Sequence, residues 1–333
     1  MPTDPTKAHV ASQWAHTSPL IACRFDPLNR YVFSTAEDNS IQRWKLDSGE
    51  KIAFTAHDSW VFALAVTANG ETLLSAGGDG RLVWWPAAAE KPEPIRKVDA
   101  HQGWIRAVTL SPDGNLIATV GNDQIVKVWS TADGTLVRQM SGHENQIYSA
   151  LFHPGGQFLL TGDLLGIVCQ WETATGNLVR KFEAKELHSY NGGQGVHFGG
   201  VRSMAFNPQT QHLSCGGLYK SENPLGAVLE PLVNVYEWES QKLVQSQIAE
   251  GIKGPLWRIV YHSESYLIGV CGGSSGGFLL FWRPDQNKEF HRFQLPNLAR
   301  DLDLSADQIR IATTHFDKQL RITRLEAKAE AKT

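Results

Sequence analysis

The sequence predicts an all-β protein built from repeated units of four strands each, and three observations support this prediction. A Trp follows a His by 28 residues in four successive pairs: His16/Trp44, His57/Trp85, His101/Trp129 and His143/Trp171. Within each unit, short runs of alternating apolar residues are separated by turn signals, such as Ser-Pro-Asp-Gly at 111–114. At about 42 residues per unit, 333 residues accommodate seven units in one closed domain.

Two more positions recur inside the unit. A Ser or Thr lies four residues before an Asp, and that Asp lies six residues before the Trp. The set suggests a buried relay of hydrogen bonds, because a buried indole N–H needs an acceptor and a hydroxyl can both accept and donate. With these residues the chain resembles the WD-repeat β-propellers, whose four-stranded blades form a ring. The resemblance implies three complete tetrads: His16/Ser34/Asp38/Trp44, His57/Ser75/Asp79/Trp85 and His101/Thr119/Asp123/Trp129.

A Ser, a His and an Asp in one network could also indicate a hydrolase triad. We reject that interpretation because the same set recurs in successive units, whereas an enzyme needs it once. The tetrads are therefore predicted to be structural.

The predicted domain organisation is a single seven-bladed propeller over residues 9–325. Residues 1–8 are expected to be disordered, and residues 326–333 form a C-terminal tail. The last unit contains three strands, so residues 9–14 should supply the fourth strand of blade seven and close the ring. Blade five carries two insertions, 184–199 and 217–231, which the resemblance places on one face, called the top.

Four of the units depart from the pattern. Blade four has Leu165 at the Asp position, and Asp163 lies two residues early, so its tetrad is predicted to be incomplete. In blade five, Trp238 is the expected repeat Trp. Blade six replaces the Asp loop with the sequence GGSSGG, which is expected to be flexible, and blade seven has Thr323 in place of Trp.

Composition and charge narrow the possible functions. The net charge of −3 and the isoelectric point of about 6.5 argue against a general nucleic-acid binder, which would carry a basic surface. The sequence contains neither a signal peptide nor an apolar run of about 18 residues, so no membrane association is expected. The four cysteines follow no metal-ligand spacing and are expected to be reduced, which favours a cytoplasmic protein.

No cofactor or metal is expected. His188 and His197, with Glu186 and Tyr190 nearby, could be interpreted as a metal site, but nine residues separate the two histidines and neither lies on a predicted element.

The candidate binding residues come from two positions at the start of each innermost strand, which in the resembled family face the top surface near the channel. One position contributes Phe62, Arg106, Tyr148, Arg202 and Arg258, and in the remaining two blades it is assigned to Ile21 and Asp301. The other position contributes Trp60 and Trp104, and Arg300 is adjacent. Trp, Tyr and Arg are the usual hot-spot residues of protein interfaces, and Arg clusters suit acidic or phosphorylated peptides. The alternative is that Trp60 and Trp104 merely pack against neighbouring blades, and that the arginines are solvated or paired with Asp301, Asp303 and Glu37.

The functional expectation is a non-catalytic scaffold that binds protein or peptide segments on the top face, as a monomer or within a hetero-complex. One alternative is a propeller enzyme, such as a metal-dependent hydrolase or lactonase, that uses the central channel. Another is a structural subunit of a larger assembly.

Overall fold

The computed structural model describes residues 3–219 and 230–328. Within these residues the chain forms seven four-stranded antiparallel sheets, the blades, and one two-stranded hairpin. The predicted all-β propeller of seven blades is therefore confirmed.

The strands follow one another along the chain, blade by blade. After a 3₁₀ turn (Pro5–Lys7) come β1 (His9–Ala15) and blade one, which contains β2 (Leu20–Phe25), β3 (Tyr31–Ala36), β4 (Ile41–Lys45) and β5 (Lys51–Phe54). Blade two contains β6 (Val61–Val66), β7 (Thr72–Gly77), β8 (Arg81–Pro86) and β9 (Arg96–Asp99). Blade three contains β10 (Ile105–Leu110), β11 (Leu116–Gly121), β12 (Ile125–Ser130) and β13 (Leu136–Ser141). Blade four contains β14 (Ile147–Phe152), β15 (Phe158–Asp163), β16 (Ile167–Glu172) and β17 (Leu178–Glu183).

The second half of the chain begins with the additional hairpin. A 3₁₀ turn (Lys185–Leu187) leads into β18 (His188–Asn191) and β19 (Val196–Gly199). Blade five contains β20 (Ser203–Phe206), β21 (Leu213–Tyr219), β22 (Glu230–Tyr236) and β23 (Leu243–Ile248). Blade six contains β24 (Leu256–Tyr261), β25 (Leu267–Gly273), β26 (Gly276–Trp282) and β27 (His291–Leu295). Blade seven contains β28 (Ala299–Leu304), β29 (Arg310–His315) and β30 (Gln319–Arg324), with β1 as its outermost strand.

The innermost strand of each blade contacts the innermost strands of its two neighbours, and β28 contacts β2, so the ring is closed. Apolar side chains fill the spaces between blades. Trp84 of blade two, for example, packs in one cluster with Ile105 and Trp129 of blade three. The face at which the innermost strands begin is called the top face from here on.

Strand β1 closes the ring by antiparallel pairing with β30, as predicted. Trp14 of β1 stacks on Trp44 of blade one at 6.1 Å. Residues 3–8, which belong to the segment predicted to be disordered, lie against the ring. The Asp4 amide donates to the Leu325 carbonyl at 2.7 Å, and the Thr3 hydroxyl lies 3.3 Å from Glu264 Oε1.

Blades two and three each contain a complete tetrad, as predicted. In blade three, Nδ1 of His101 lies 3.0 Å from Asp123, its Nε2 lies 2.7 Å from Thr119 Oγ1, and the Trp129 indole donates to that oxygen at 2.8 Å. A carboxylate can only accept, so Nδ1 carries the proton and the Thr119 hydroxyl donates to Nε2. Burial would raise the pKa of Asp123, but the hydrogen bonds from His101 and from backbone amides outweigh it and hold the pKa below its ordinary value. Blade two repeats this arrangement with His57, Ser75, Asp79 and Trp85.

Blade one departs from its predicted tetrad. The ring of His16 is turned, so that Nε2 lies 2.7 Å from Asp38 and Nδ1 lies 3.4 Å from Lys51 Nζ. With both ring nitrogens engaged in this way, the relay to Ser34 is broken, although Trp44 still donates to the Ser34 hydroxyl at 2.8 Å.

The prediction for blade four was wrong, because its tetrad is complete. Asp163 lies 2.7 Å from His143 Nδ1, and Thr161 joins His143 and Trp171 at 2.7 and 2.8 Å. Asp163 occupies the strand position that is Gly77 in blade two. A Cβ built on Gly77 would lie 2.7 Å from both His57 Nδ1 and Asp79 Oδ1. A side chain at this position therefore points directly at the tetrad histidine.

Blades five and six lack the relay for identifiable reasons. In blade five the residue aligned with the repeat Trp is Tyr236, which pairs with Leu213, so the assignment of Trp238 was wrong. In blade six, Trp282 pairs with Leu267, and the hydroxyl position two residues later is Gly269. The buried Trp282 N–H consequently has no partner among the described residues, which costs about 1–3 kcal/mol.

The GGSSGG segment is a tight hairpin and was wrongly expected to be flexible. Gly273 pairs with Gly276 across the turn, and the Ser275 hydroxyl accepts from the Lys253 amide at 2.9 Å. A Cβ on Gly277 would lie 2.2 Å from the Asn297 carbonyl oxygen. The glycines thus allow the link to blade seven to cross the hairpin closely.

Candidate functional site

A cavity of about 700 Å³ lies at the top face and extends into the channel. The structure brings all eight predicted binding residues into its wall: Trp60, Phe62, Trp104, Arg106, Tyr148, Arg202, Arg258 and Arg300.

The backbone device that positions these side chains is a β-bulge at the start of the innermost strands. The pairing register shifts around one extra residue in six blades, for example between Ile105 and Ala107. In blade five, the amide of Arg202 donates to Gly216, which is already the partner of Ser203. A bulge re-aims the extra side chain, here towards the cavity. The bulge ring consists of Ile21, Phe62, Arg106, Tyr148, Arg202, Trp257 and Arg300.

Sequence reasoning misplaced the register in the last two blades. It assigned Arg258 and Asp301 to the bulge position, which Trp257 and Arg300 occupy. Arg258 and Asp301 lie one residue further along, where the other blades have Ala or Ser. The bulge in β24 was the missing signal, since it leaves Trp257 unpaired between Leu256 and Arg258.

Aromatic rings form one side of the cavity. Trp60 packs edge-on against Phe62 at 6.3 Å, and Phe62 lies 5.0 Å from Trp104. Trp60 and Trp104 each keep 41% of their surface exposed. Trp104 of blade three thus packs against Phe62 of blade two, so packing against a neighbouring blade is realised in part, while both tryptophans remain exposed at the cavity.

Guanidinium groups alternate with rings along the adjoining part of the wall. Arg106 lies over Trp104 at 4.6 Å and over Tyr148 at 5.4 Å, and its Nε donates to Asn122 at 2.9 Å. Arg202 lies between Tyr148 at 5.2 Å and Trp257 at 5.1 Å. Such contacts hold the guanidinium groups in fixed positions at the wall.

The remaining arginines of the cavity face carboxylates. Arg24 donates to Asp301 at 2.8 Å, and Arg258 Nε lies 3.7 Å from the other oxygen of Asp301. Arg300 donates to Glu37 at 2.6 Å. The alternative interpretation, in which the arginines pair with acids, is thus realised for part of the set.

Asp303 lies beneath this group. Burial raises the pKa of Asp303, and the charges of Arg24 and Arg258 oppose that rise. Its carboxylate accepts from the Phe25 amide at 2.7 Å, and the Asp301 carboxylate accepts from the Cys23 amide at 3.0 Å. These acids therefore join blade seven to blade one.

Comparison with known proteins supports the fold. The family described as "WD domain, G-beta repeat" matches residues 8–45, 50–86, 92–130 and 134–172, which coincide with the first four repeats of the ring.

The chain is a seven-bladed β-propeller with four WD repeats.

The propeller also has short matches to curated relatives. It is 42% identical to "Transducin beta-like protein 3" of Bos taurus over 67 residues, which are 20% of this chain and 8% of that protein. The proteins of the same name from Rattus norvegicus and Mus musculus are each 39% identical over 67 residues, with the same coverage. The chain thus spans about 8% of the length of these curated relatives, and the match supports the repeat alone.

The first insertion leads into blade five beside one residue of the cavity wall. A Cβ on Gly200, the residue that directly follows this insertion, would lie 3.0 Å from Tyr148 Cδ2. The 3₁₀ turn at 185–187 contacts β21, from which the second insertion starts. Residues 220–229 of the second insertion, predicted at 217–231, lie outside the described residues.

The two histidines of the first insertion lie on strands, contrary to expectation. His188 Nε2 and His197 Nδ1 are 2.9 Å apart, which is a hydrogen bond and leaves no space for an ion between them. Tyr190 packs on His197 at 4.7 Å. Over the described ranges, no group of three His, Cys, Asp or Glu residues could hold a metal ion, and no helix is long and apolar enough to cross a membrane.

Proposed function

We propose that this propeller is a non-catalytic interaction platform that holds a protein or peptide segment in the cavity of its top face. The observation that carries the proposal is the convergence of exposed tryptophans and fixed arginines on one cavity of about 700 Å³. Hot spots of protein interfaces are enriched in these residue types and cluster in pockets. Within the WD-repeat family, binding of proteins and peptides is the typical role of the fold.

A hydrolytic role for the channel has less support. The carboxylate of Asp301 accepts from the Cys23 amide and from Arg24, and lies beside Arg258. A general base needs a lone pair directed at its substrate, and these contacts occupy the Asp301 oxygens. The three tetrad networks are sealed inside their blades, where each serine or threonine hydroxyl is fully buried.

A cytoplasmic location belongs to the same proposal. All four cysteines are buried free thiols. This usage is common where thiols stay reduced.

The decisive experiment compares two double variants in affinity capture from native lysate. Trp60→Ala/Trp104→Ala removes the two exposed tryptophan rings of the cavity. Leu136→Ala/Leu178→Ala removes exposed apolar area from the outer strands of blades three and four, where these residues are 48% and 40% exposed. Both variants should keep the melting temperature of the native protein, because the replaced side chains lie at the surface.

We expect the cavity variant to bind captured partners about 30-fold or more weakly, which corresponds to loss of a hot-spot contact. The control variant should bind as the native protein does. If only the control variant lost partner binding, the binding surface would lie on the outer edge of the blades and the proposal would be refuted.

A further inference from the structure

We propose that Arg106, Tyr148 and Arg202 form an anion-binding subsite within the top-face cavity, which takes a carboxylate or phosphate group carried by the bound segment. This inference rests on the proposed function and adds the chemistry of the partner. It distinguishes these two arginines from the other three in the wall.

The distinction follows from the partners of each guanidinium group. Arg24 donates to Asp301 and Arg300 donates to Glu37. Arg258 Nε is buried without a hydrogen bond among the described residues, but it lies 3.7 Å from the Asp301 carboxylate and thus forms an ion pair. Among the described residues, neither Arg106 nor Arg202 forms an ion pair. The carboxylates that the sequence suggested as partners for the whole set are therefore engaged elsewhere.

Arg202 is the less satisfied of the two. Within the described ranges its guanidinium makes no hydrogen bond, and its Nε atom is buried. A buried donor without an acceptor costs free energy, and more so when the group is charged. Arg106 uses Nε for Asn122 and has its remaining N–H groups available to a ligand.

The two guanidinium groups also act on each other. They lie on the same Tyr148 ring, at 5.4 and 5.2 Å from its centre. Burial lowers the pKa of Arg106 and of Arg202, and the charge of Arg106 lowers that of Arg202 further. An anion between them would remove the repulsion and supply the missing acceptors.

The positions of these groups are fixed before a ligand arrives. Arg202 is held between Tyr148 and Trp257, and Arg106 is held between Trp104 and Tyr148. A fixed guanidinium loses little freedom on binding and can donate two parallel hydrogen bonds to one carboxylate or phosphate. The neighbouring rings of Trp60, Phe62 and Trp104 would contact the residues beside the anion.

The test uses purified full-length protein and five pools of immobilised peptides with random flanking residues. The central residue is fixed as alanine, glutamine, glutamate, phosphoserine or phosphothreonine. We expect the protein to retain the pools with an anionic central residue more strongly than the glutamine and alanine pools. Preference for glutamate identifies a carboxylate as the source, and preference for the phosphorylated pools identifies a phosphate.

Variants assign the effect to the two arginines. Arg106→Gln/Arg202→Gln should weaken retention of the anionic pools by about tenfold or more, to the level of the alanine pool. Lys91→Gln/Lys97→Gln removes the same number of positive charges from exposed sites on blade two and should retain the native preference. Equal loss in both double variants would indicate a general charge effect and overturn the proposal.

A second measurement does not depend on the variant folding. Inorganic phosphate, compared with chloride at equal ionic strength, should displace the anionic pools from the native protein. The absence of selective displacement would overturn the subsite.

The outcomes separate the subsite from the platform. If the native protein retains all pools equally and Trp60→Ala/Trp104→Ala loses this retention, the anion subsite is refuted and the platform is left intact. Failure of the native protein to retain any pool would refute the subsite. The lysate capture described above would then decide on the platform by itself.

Discussion

The strand position before the tetrad loop decides how each blade anchors its histidine. Gly77 leaves room for Asp79, which reaches back to His57 from the loop. In blade four the carboxylate is carried at this position itself, by Asp163. In blade seven the position is His315, whose Nε2 lies 2.8 Å from Thr313 Oγ1. The same strand position therefore holds a glycine that leaves space for the loop carboxylate, or the carboxylate itself, or the imidazole.

Moving the carboxylate of blade four from position 163 to position 165 tests whether the two arrangements are equivalent. Asp163→Gly should lower the free energy of unfolding by about 1–3 kcal/mol, because buried His143 loses its acceptor. Asp163→Gly/Leu165→Asp recreates the arrangement of Gly77 and Asp79 and should recover most of that loss. The measurement is chemical denaturation of both variants and of Leu165→Asp alone, which places two carboxylates together and should destabilise. A double variant no more stable than Asp163→Gly would contradict the equivalence.

His315 should make the stability depend on pH. Burial and the nearby charge of Arg321 lower the pKa of His315 to about 4, from 6.5. Between these values the unfolded chain binds a proton that the folded protein does not. The stabilising contribution is therefore complete above pH 6.5 and is lost progressively as the pH falls to about 4, by about 3 kcal/mol.

The comparison with His315→Gln isolates this effect from the other buried histidines. Glutamine cannot titrate, although it can contact Thr313 and the Asn297 carbonyl. The difference in unfolding free energy between native protein and variant should shrink by about 3 kcal/mol from pH 7 to pH 4. Parallel pH curves would show that another group controls the acid sensitivity.

At the scale of elements, the bulge in each innermost strand connects fold to function. It rotates one side chain per blade out of the regular alternation and towards the cavity. Alternation alone cannot reveal a bulge. Sequence reasoning succeeded where a small residue follows, as Ala107 follows Arg106. It failed where Arg258 and Asp301 replace that small residue.

The sequence pattern predicts an element only where strands and loops are regular. The spacing from His to Trp fixes the strands of blades one to four because their loops have nearly constant length. Blade five has a longer hairpin, so that Tyr236 rather than Trp238 meets Leu213. The location of the candidate binding residues at the cavity followed from the repeat, whereas the pairing of Arg300 with Glu37 required the ring to be closed in three dimensions.

At the scale of the whole molecule, stability depends on joining the two ends of the chain. Strand β1 pairs six residues with β30, and Trp14 stacks on Trp44 in the next blade. On the inner side, Asp301 and Asp303 of blade seven accept hydrogen bonds from Cys23 and Phe25 of blade one. Two sets of contacts thus close the ring, one at its outer edge and one at the channel.

Deletion of residues 1–14 tests the outer closure. It removes the partner of β30 and exposes a strand edge. Roughly half a dozen backbone hydrogen bonds at about 0.5–1.5 kcal/mol each are lost, so the unfolding free energy should fall by about 3 kcal/mol or more. A synthetic peptide of residues 3–15 should restore the melting temperature in a saturable manner. A peptide in which Trp14 is replaced by alanine should require a higher concentration, because it lacks the stack on Trp44. If the truncated chain melts at the native temperature, the ring is held by the inner contacts of Asp301 and Asp303, and β1 adds only an edge.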